Sequence, residues 1–312
     1  MHDAATVITQ QRDIPSMYNV LGDRRAIAIL LGPALLVYTL VMLVPVVGSL
    51  GLTFFDGNPL FGFTFNGVDN FTTLFSDPRI LSALWFTVRY ALAVTVGQIV
   101  VGYALSLLYV FALRRSSTMV RTLTFFPVVL PTVAVALMFQ QLFAIAPRNG
   151  LVNEALNAFG IASVDWFGNP DTAFWVLVMM DIWRSMGFYA VLIYAGLLDI
   201  PEDILESARL DGAGGWRLIR HIVLPLSLPV LLSSVIFSIN GTLKVFDSIV
   251  ALTNGGPGDA TTPLTLYMFQ TSFSYGDYGY GSTIALVLTV LCLGVTIFIF
   301  QSSRRDTTKS SS

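Results

Sequence analysis

The sequence predicts an all-α integral membrane protein of six transmembrane helices, with a helical hairpin on the cytoplasmic side between helices four and five. Three observations carry this. Of 312 residues, 54% are hydrophobic and only 12% charged, where soluble domains run near a quarter charged. The mean hydropathy is +0.72. Six mostly apolar runs, near 26–52, 84–112, 122–146, 172–198, 226–251 and 282–301, have the length a spanning helix needs.

The elements follow in order. Residues 1–25 are polar, end in Asp23-Arg24-Arg25 and lack a short apolar core with a small-residue cleavage site. They read as a retained cytoplasmic tail rather than a signal peptide. The first run contains Pro33 and Pro45, and the third Pro127 and Pro131. Each proline frees a carbonyl and kinks the helix, either for shape or as a hinge. The second run carries Arg89 near one end. After the membrane domain, 26–301, the Ser/Thr-rich stretch 302–312 reads as a disordered cytoplasmic tail.

Lysine and arginine set the orientation. With the N-terminus inside, cytoplasmic segments hold Arg12, Arg24, Arg25, Arg114, Arg115, Arg121, Arg209, Arg217, Arg220, Arg304, Arg305 and Lys309, while the outer loops hold Arg79 and Arg148. The positive-inside rule then places both termini in the cytoplasm. The outer loops, near 53–83, 147–171 and 252–281, carry acidic residues and turn-like clusters such as Asp56-Gly57-Asn58-Pro59.

Several function classes are excluded or disfavoured. A net charge of -2 gives no basic field for nucleic acid. The lone Cys292 excludes a disulfide framework and a cysteine-rich metal site. His2 and His221 are far apart in sequence and suggest no metal or triad cluster. The absence of a strong internal repeat weakens an inverted-repeat secondary transporter.

The loop at about 199–225 holds the sharpest local signals. Pro201 suits a first helical turn, and Glu202 and Asp203 favour the positive end of its dipole. Gly212 is a natural stop, since glycine enters the left-handed region freely. A second short helix is expected over 215–222, with Pro225 opening helix five. Such a hairpin is either a linker or an interaction surface. Ser207 and Ala208 are small enough for close approach by a partner, and Leu205, Leu210, Trp216 and Ile219 offer apolar area.

Glu206-Ser207-Ala208, three residues, Gly212, nine residues, Ile222, one residue and Leu224-Pro225 resembles the EAA motif of binding-protein-dependent ABC importer permeases. Ser207 replaces the first alanine of that motif, a small-for-small change. Asp211-Gly212-Ala213 is similar to the family's Asp-Gly-Ala. The resemblance implies that Glu206, Ser207, Ala208, Asp211, Gly212 and Ala213 belong to a coupling helix that docks on a cytoplasmic ATPase. This chain has no Gly-x-x-x-x-Gly-Lys-Ser/Thr phosphate loop, so it binds no nucleotide cofactor through such a loop. The resemblance puts ATP and Mg on a separate subunit.

Phe246, Asp247, Leu252, Thr253, Gly255, Gly256 and Pro257 resemble a signature of carbohydrate permeases of the maltose and glycerol-3-phosphate type, the first of their two paired permeases. That resemblance implies a plasma-membrane assembly of this chain with a second permease subunit, two ATPase subunits and an extracytoplasmic solute-binding protein that delivers a sugar or oligosaccharide. Two alternatives remain at this point: an ABC permease for a non-sugar solute such as a polyol phosphate, and a transporter coupled to protons through Asp181, Asp247 or Lys244. A membrane-embedded enzyme would need a clustered nucleophile, carboxylate dyad or metal set that the sequence does not present.

Within helix five, Asn240, Lys244 and Asp247 or Ser248 follow i, i+4, i+7/8 spacing and are expected on one face. A lysine at depth costs roughly 2.5–3.5 kcal/mol on insertion scales. Either Lys244 pairs with Asp247 across a helix interface, or the face lines a wet substrate pathway with Phe246. Gln140 and Gln141 in helix three either face the same pathway or bridge helices. Asp181 and Arg184 on helix four form an i, i+3 pair expected to be structural. Tyr267, Phe273, Tyr275, Tyr278 and Tyr280 read as an interfacial aromatic belt.

Overall fold

A computed structural model describes residues 24–113, 117–145 and 147–309. Most of the expected N-terminal tail, Arg114, Arg115 and 310–312 lie outside these. "Outer" and "inner" below follow the orientation set by lysine and arginine. The chain divides into two compact units, Met1–Leu52 and Thr53–Ser312.

Among the described residues the first unit holds one long helix, α1, Arg25–Leu52. Its hydrogen bonding widens to a π turn over Thr39–Leu43. Pro45 follows two residues later; a proline lacks the N–H and crowds the carbonyl four residues back, and a wider turn relieves both.

The second unit opens with an antiparallel pair, β1 Phe55–Asn58 and β2 Gly62–Phe65. This corrects the all-α expectation. The turn lies one step later than the Asp56–Pro59 cluster suggests, because Asn58 Oδ1 accepts the backbone N–H groups of Leu60 and Phe61 at 3.0 and 3.1 Å. A short helix, α2, Asp69–Ser76, follows.

Five helices among the described residues are long and apolar enough to cross a membrane: α1, α3 (Pro78–Ala112), α7 (Pro170–Leu198), α9 (Gly215–Thr242) and the last helix. The expected third span is two pieces, α4 (Ser117–Val129) and α5 (Thr132–Leu142), meeting at a 96° bend. Pro131 causes the break, since the residue before a proline is driven from helical geometry. A short helix α6, Leu151–Ala158, then leads to α7. Both α3 and α7 start by the same means: Asp77 and Asn169 cap them, accepting the N–H groups of Arg79 and Asp171 at 2.8 and 2.9 Å, each with proline next.

After α7 come α8, Glu202–Leu210, and α9. The expected separate helix over 215–222 is instead the start of α9. A π turn at Ile219–Val223 precedes Pro225 and carries the helix past it, as in α1. The expected end at 251 is also wrong: α9 stops at Thr242, and a separate α10, Asp247–Leu252, begins after a four-residue break. Then come α11, Leu264–Phe269, and α12, Tyr278–Lys309. Helix α12 starts before the expected 282 and its backbone stays helical beyond 301, where a tail without structure was expected.

The main core lies between α3 and α7, with α5 and α10 against them; Tyr90, Val94, Leu177, Met180 and Ile249 are its centre. Helix α7 lies against α4 because Gly187 has no side chain: a Cβ there would stand 2.2 Å from the Thr124 carbonyl oxygen.

At the outer end, Asp77 Oδ2 accepts the hydroxyls of Tyr267 at 2.5 Å and Tyr280 at 2.6 Å. Both tyrosines are 7% exposed, so they tie α11 and α12 to α3 and are not belt residues. Burial pushes the Asp77 carboxyl upward, but the two hydroxyls and the N–H and charge of Arg79 outweigh it and hold it below its ordinary value.

Candidate functional site

The chain presents two candidate regions, an inner hairpin and a polar cavity at a broken helix. The hairpin is built from α8 and its exit turn. Gly212 adopts a φ of +83°. Its N–H donates to the Arg209 carbonyl at 3.0 Å, and the N–H of Ala213 donates to the Ala208 carbonyl at 2.9 Å. This is a Schellman closure with Asp211 as C-cap, completed by apolar contact. Ala208 and Ala213 pack on Leu197, Leu218 and Val223.

The spacing from Ala208 to Gly212 and Ala213 therefore has a local cause. It also corrects one expectation: Ala208 faces the chain's own core, not a partner. Glu206, Ser207, Asp211 and Gly212 are exposed. Leu205 packs inward and Ile219 is half-buried, whereas Leu210, 89% exposed, and Trp216, 71% exposed, point outward, with Ile204 exposed beside them.

The second region follows from the break between α9 and α10. A break frees carbonyls, which need donors in a low-dielectric setting. Thr265 of α11 donates its hydroxyl to the Val245 carbonyl. Gln140 of α5 donates to the Ala251 and Leu252 carbonyls at 3.1 and 2.9 Å, capping the end of α10. A cavity of about 270 Å³ opens beside the break, lined by Lys244, Phe246, Asp247 and Ser248 with Gln98, Asp181, Arg184 and Ser185.

Four expected residues are thus brought together: Lys244, Phe246, Asp247 and Ser248. They do not share a helix face, because the helix ends first. Lys244 and Asp247 are exposed to the cavity and, among the described residues, make no ion pair with each other. Asn240 is elsewhere: its Nδ2 donates to the Ile236 carbonyl at 2.9 Å and its Oδ1 accepts from Thr296 at 3.2 Å, joining α9 to α12. Gln140 bridges helices. Together with the exposed Gln141 it borders a separate outer cavity of about 630 Å³ with Thr253 and Pro257.

Sequence reasoning missed the hydroxyl and amide lining. Gln98 of α3 donates to Ser185 at 2.7 Å, and Ser238 of α9 lies 2.5 Å from Gln98 Oε1 and 2.8 Å from Thr95 Oγ1. These polar side chains knit three spans beside the cavity. A buried glutamine within an apolar run was the available signal. Asp181 is a hub rather than half of a simple pair: Tyr90 donates to it at 2.5 Å and Ser248 at 2.8 Å, with Arg184 Nε at 3.6 Å.

Comparison with known proteins follows the same lines. A family described as "Binding-protein-dependent transport system inner membrane component" matches residues 98–304. The sulfoquinovosyl glycerol transport system permease protein SmoG of Agrobacterium fabrum is 35% identical over 88% of this chain and 89% of the relative. The trehalose/maltose transport system permease protein MalF of Thermococcus litoralis is 31% identical over 87% of this chain and 91% of the relative. Among solved structures, a chain of a bacterial ABC transporter involved in importing the acidic polysaccharide alginate superposes with a TM-score of 0.80 at 22% identity, covering 92% of this chain and 98% of that one.

Proposed function

Since the chain belongs to the family of inner-membrane components of binding-protein-dependent transport systems, we propose that it is one permease subunit of an ATP-driven importer that takes up a sugar or oligosaccharide delivered by an extracytoplasmic binding protein. Members of this family are multi-pass transport subunits and not themselves enzymes. In this reading the bent α4–α5 pair counts as one span, which gives six, with both termini in the cytoplasm.

The observation that carries the reading is the Schellman-closed hairpin, with Glu206, Ser207 and Asp211 exposed and Leu210 and Trp216 outward. Apolar side chains projecting from a short inner loop suit a protein partner. That partner is one of two cytoplasmic ATPase subunits holding ATP and Mg. ATP-driven closure of those subunits draws the hairpin of this chain toward that of a second permease subunit, and the cavity at the α9–α10 break opens outward. Hydrolysis resets the assembly.

The sugar class is supported by relatives named for sulfoquinovosyl glycerol and for trehalose and maltose. It is also supported by the lining: amide, hydroxyl, ammonium and carboxylate groups replace the water that each sugar hydroxyl gives up. The test is uptake into proteoliposomes holding this chain with its second permease and ATPases, with binding protein outside. Sugar accumulation dependent on ATP is expected. Accumulation driven by a pH gradient without ATP would overturn the reading.

A further inference from the structure

Asp181 is 5% exposed and sits where α3, α7 and α10 meet. Its Oδ2 accepts from Tyr90 on α3, and its Oδ1 from Ser248 at the start of α10. Arg184 Nε stands 3.6 Å from that Oδ1, too far for a hydrogen bond. The arginine therefore balances the buried carboxylate while its Nε–H stays unspent: that nitrogen is buried and has no hydrogen-bond partner. A buried donor without an acceptor is costly and calls for an explanation. An ionisable residue at membrane depth is functional by default.

The Nε nitrogen of Arg184 is closed off beside Asp181, but the side chain as a whole, 29% exposed, opens onto the cavity. Arg184 lines it alongside Lys244, Phe246 and Asp247. Tyr90 is fully buried. Resting on the reading of this chain as a sugar permease, we propose that Arg184 contacts the substrate, and that Asp181 is the positioning residue that holds both Arg184 and the first turn of α10 at the cavity. Both Asp181 oxygens already accept a hydrogen bond from the protein, so the carboxylate's role here is to hold its neighbours. The guanidinium is: its planar fork donates to neighbouring hydroxyl oxygens of a sugar ring. Ser248 links the two roles, because its hydroxyl fastens α10 to the carboxylate that also steadies the arginine.

The experiment compares wild type, Arg184→Lys and Tyr90→Phe in the complete reconstituted transporter. Uptake is measured against concentration for the sugar the binding protein carries, alongside ATP hydrolysis stimulated by that protein. Arg184→Lys keeps the charge beside Asp181 and loses the fork. It is expected to lower uptake about tenfold, the size of one lost hydrogen bond, with ATP hydrolysis stimulated by the binding protein within about twofold, because that protein captures the sugar before the cavity meets it. Tyr90→Phe alters no cavity-lining group, and is expected to lower uptake per ATP in the same direction by about threefold through looser positioning. Unchanged uptake per ATP in both variants would overturn the proposal. So would a fall in uptake and hydrolysis together, which is the signature of a purely structural network. A wild-type transporter that accumulates no sugar would defeat the functional reading itself, a result distinguishable from either.

Discussion

The backbone N–H of Ala213 donates to the carbonyl of Ala208 at 2.9 Å, closing the inner hairpin across Gly212. That closure depends on one residue with a φ of +83°. A side chain there is strained, so Gly212→Ala is expected to cost roughly 1–2 kcal/mol. Gly212→Pro cannot reach this φ and also loses the N–H that meets Arg209. It should leave the protein inserted but separate ATP hydrolysis from uptake. Membrane fractionation, ATPase rate and uptake, measured together, check this; normal uptake by the proline variant would refute the assignment.

Ser207 and Ala208 face opposite ways, one exposed and one 8% exposed. A cysteine at 207 is expected to crosslink to the ATPase subunit in the assembled transporter, and one at 208 far less. Equal yields from both positions would count against the docking face described above.

Lys244 has no ion-pair partner among the described residues. Lys244→Met therefore leaves no orphaned carboxylate, and thermal stability of the detergent-solubilised assembly should hold or rise. Uptake should weaken by about 10-fold or more, the worth of a charge-assisted hydrogen bond. A marked loss of stability with uptake intact would return Lys244 to a structural role.

Gln140 supplies the donors for two carbonyls at the end of α10. Gln140→Ala removes both donors beside the outer cavity, at about 1 kcal/mol for each hydrogen bond lost. A lower unfolding midpoint is the expected result, and Gln140→Leu, which restores bulk without donors, should not recover it.

Asp77 titrates below its ordinary value of 3.8 in the folded chain. A depressed carboxyl contributes stability that is fully present above 3.8 and is lost as pH falls from there through the folded value. Tyr280→Phe removes one of the hydroxyls responsible. The variant should be less stable than wild type at neutral pH, with the difference shrinking in the acid range. A difference constant across that range would show that the phenol acts through packing alone.

Much of this was legible in the sequence because it is local. The lengths of the apolar runs gave α1, α3, α7 and α12 near their places, and Pro131 announced the bend in the third run. Gly212 read as a stop for the same steric reason the structure shows. The break after Thr242 was not legible: a single glycine at 241 costs a helix about 1 kcal/mol, and the expected fifth span ran across it to 251. What supports the break is distant, namely the Thr265 hydroxyl that meets the freed Val245 carbonyl, while Gln140 caps the far end of α10. The polar cavity was half legible for that reason. Lys244, Phe246, Asp247 and Ser248 stood out by type, whereas Gln98, Ser185 and Ser238 gain meaning only when α3, α7 and α9 meet. The inward turn of Ala208 likewise depends on Leu218 and Val223, which the hairpin brings back beneath it.

Helix α9 runs unbroken for 28 residues from Gly215 to Thr242, a rod of about 42 Å at the helical rise per residue. The π turn accommodates Pro225, and Pro229 lies a turn further on inside the same continuous helix. A continuous helix of that length is a long lever: a tilt of about 10° about one end carries the other through about 7 Å by the same geometry. The compliant elbow, residues 243–246, lies at the far tip. In the proposed importer, a pull at the inner surface reaches the tip where the ligand would sit, and a further helix breaker placed midway is expected to waste ATP even with both ends intact.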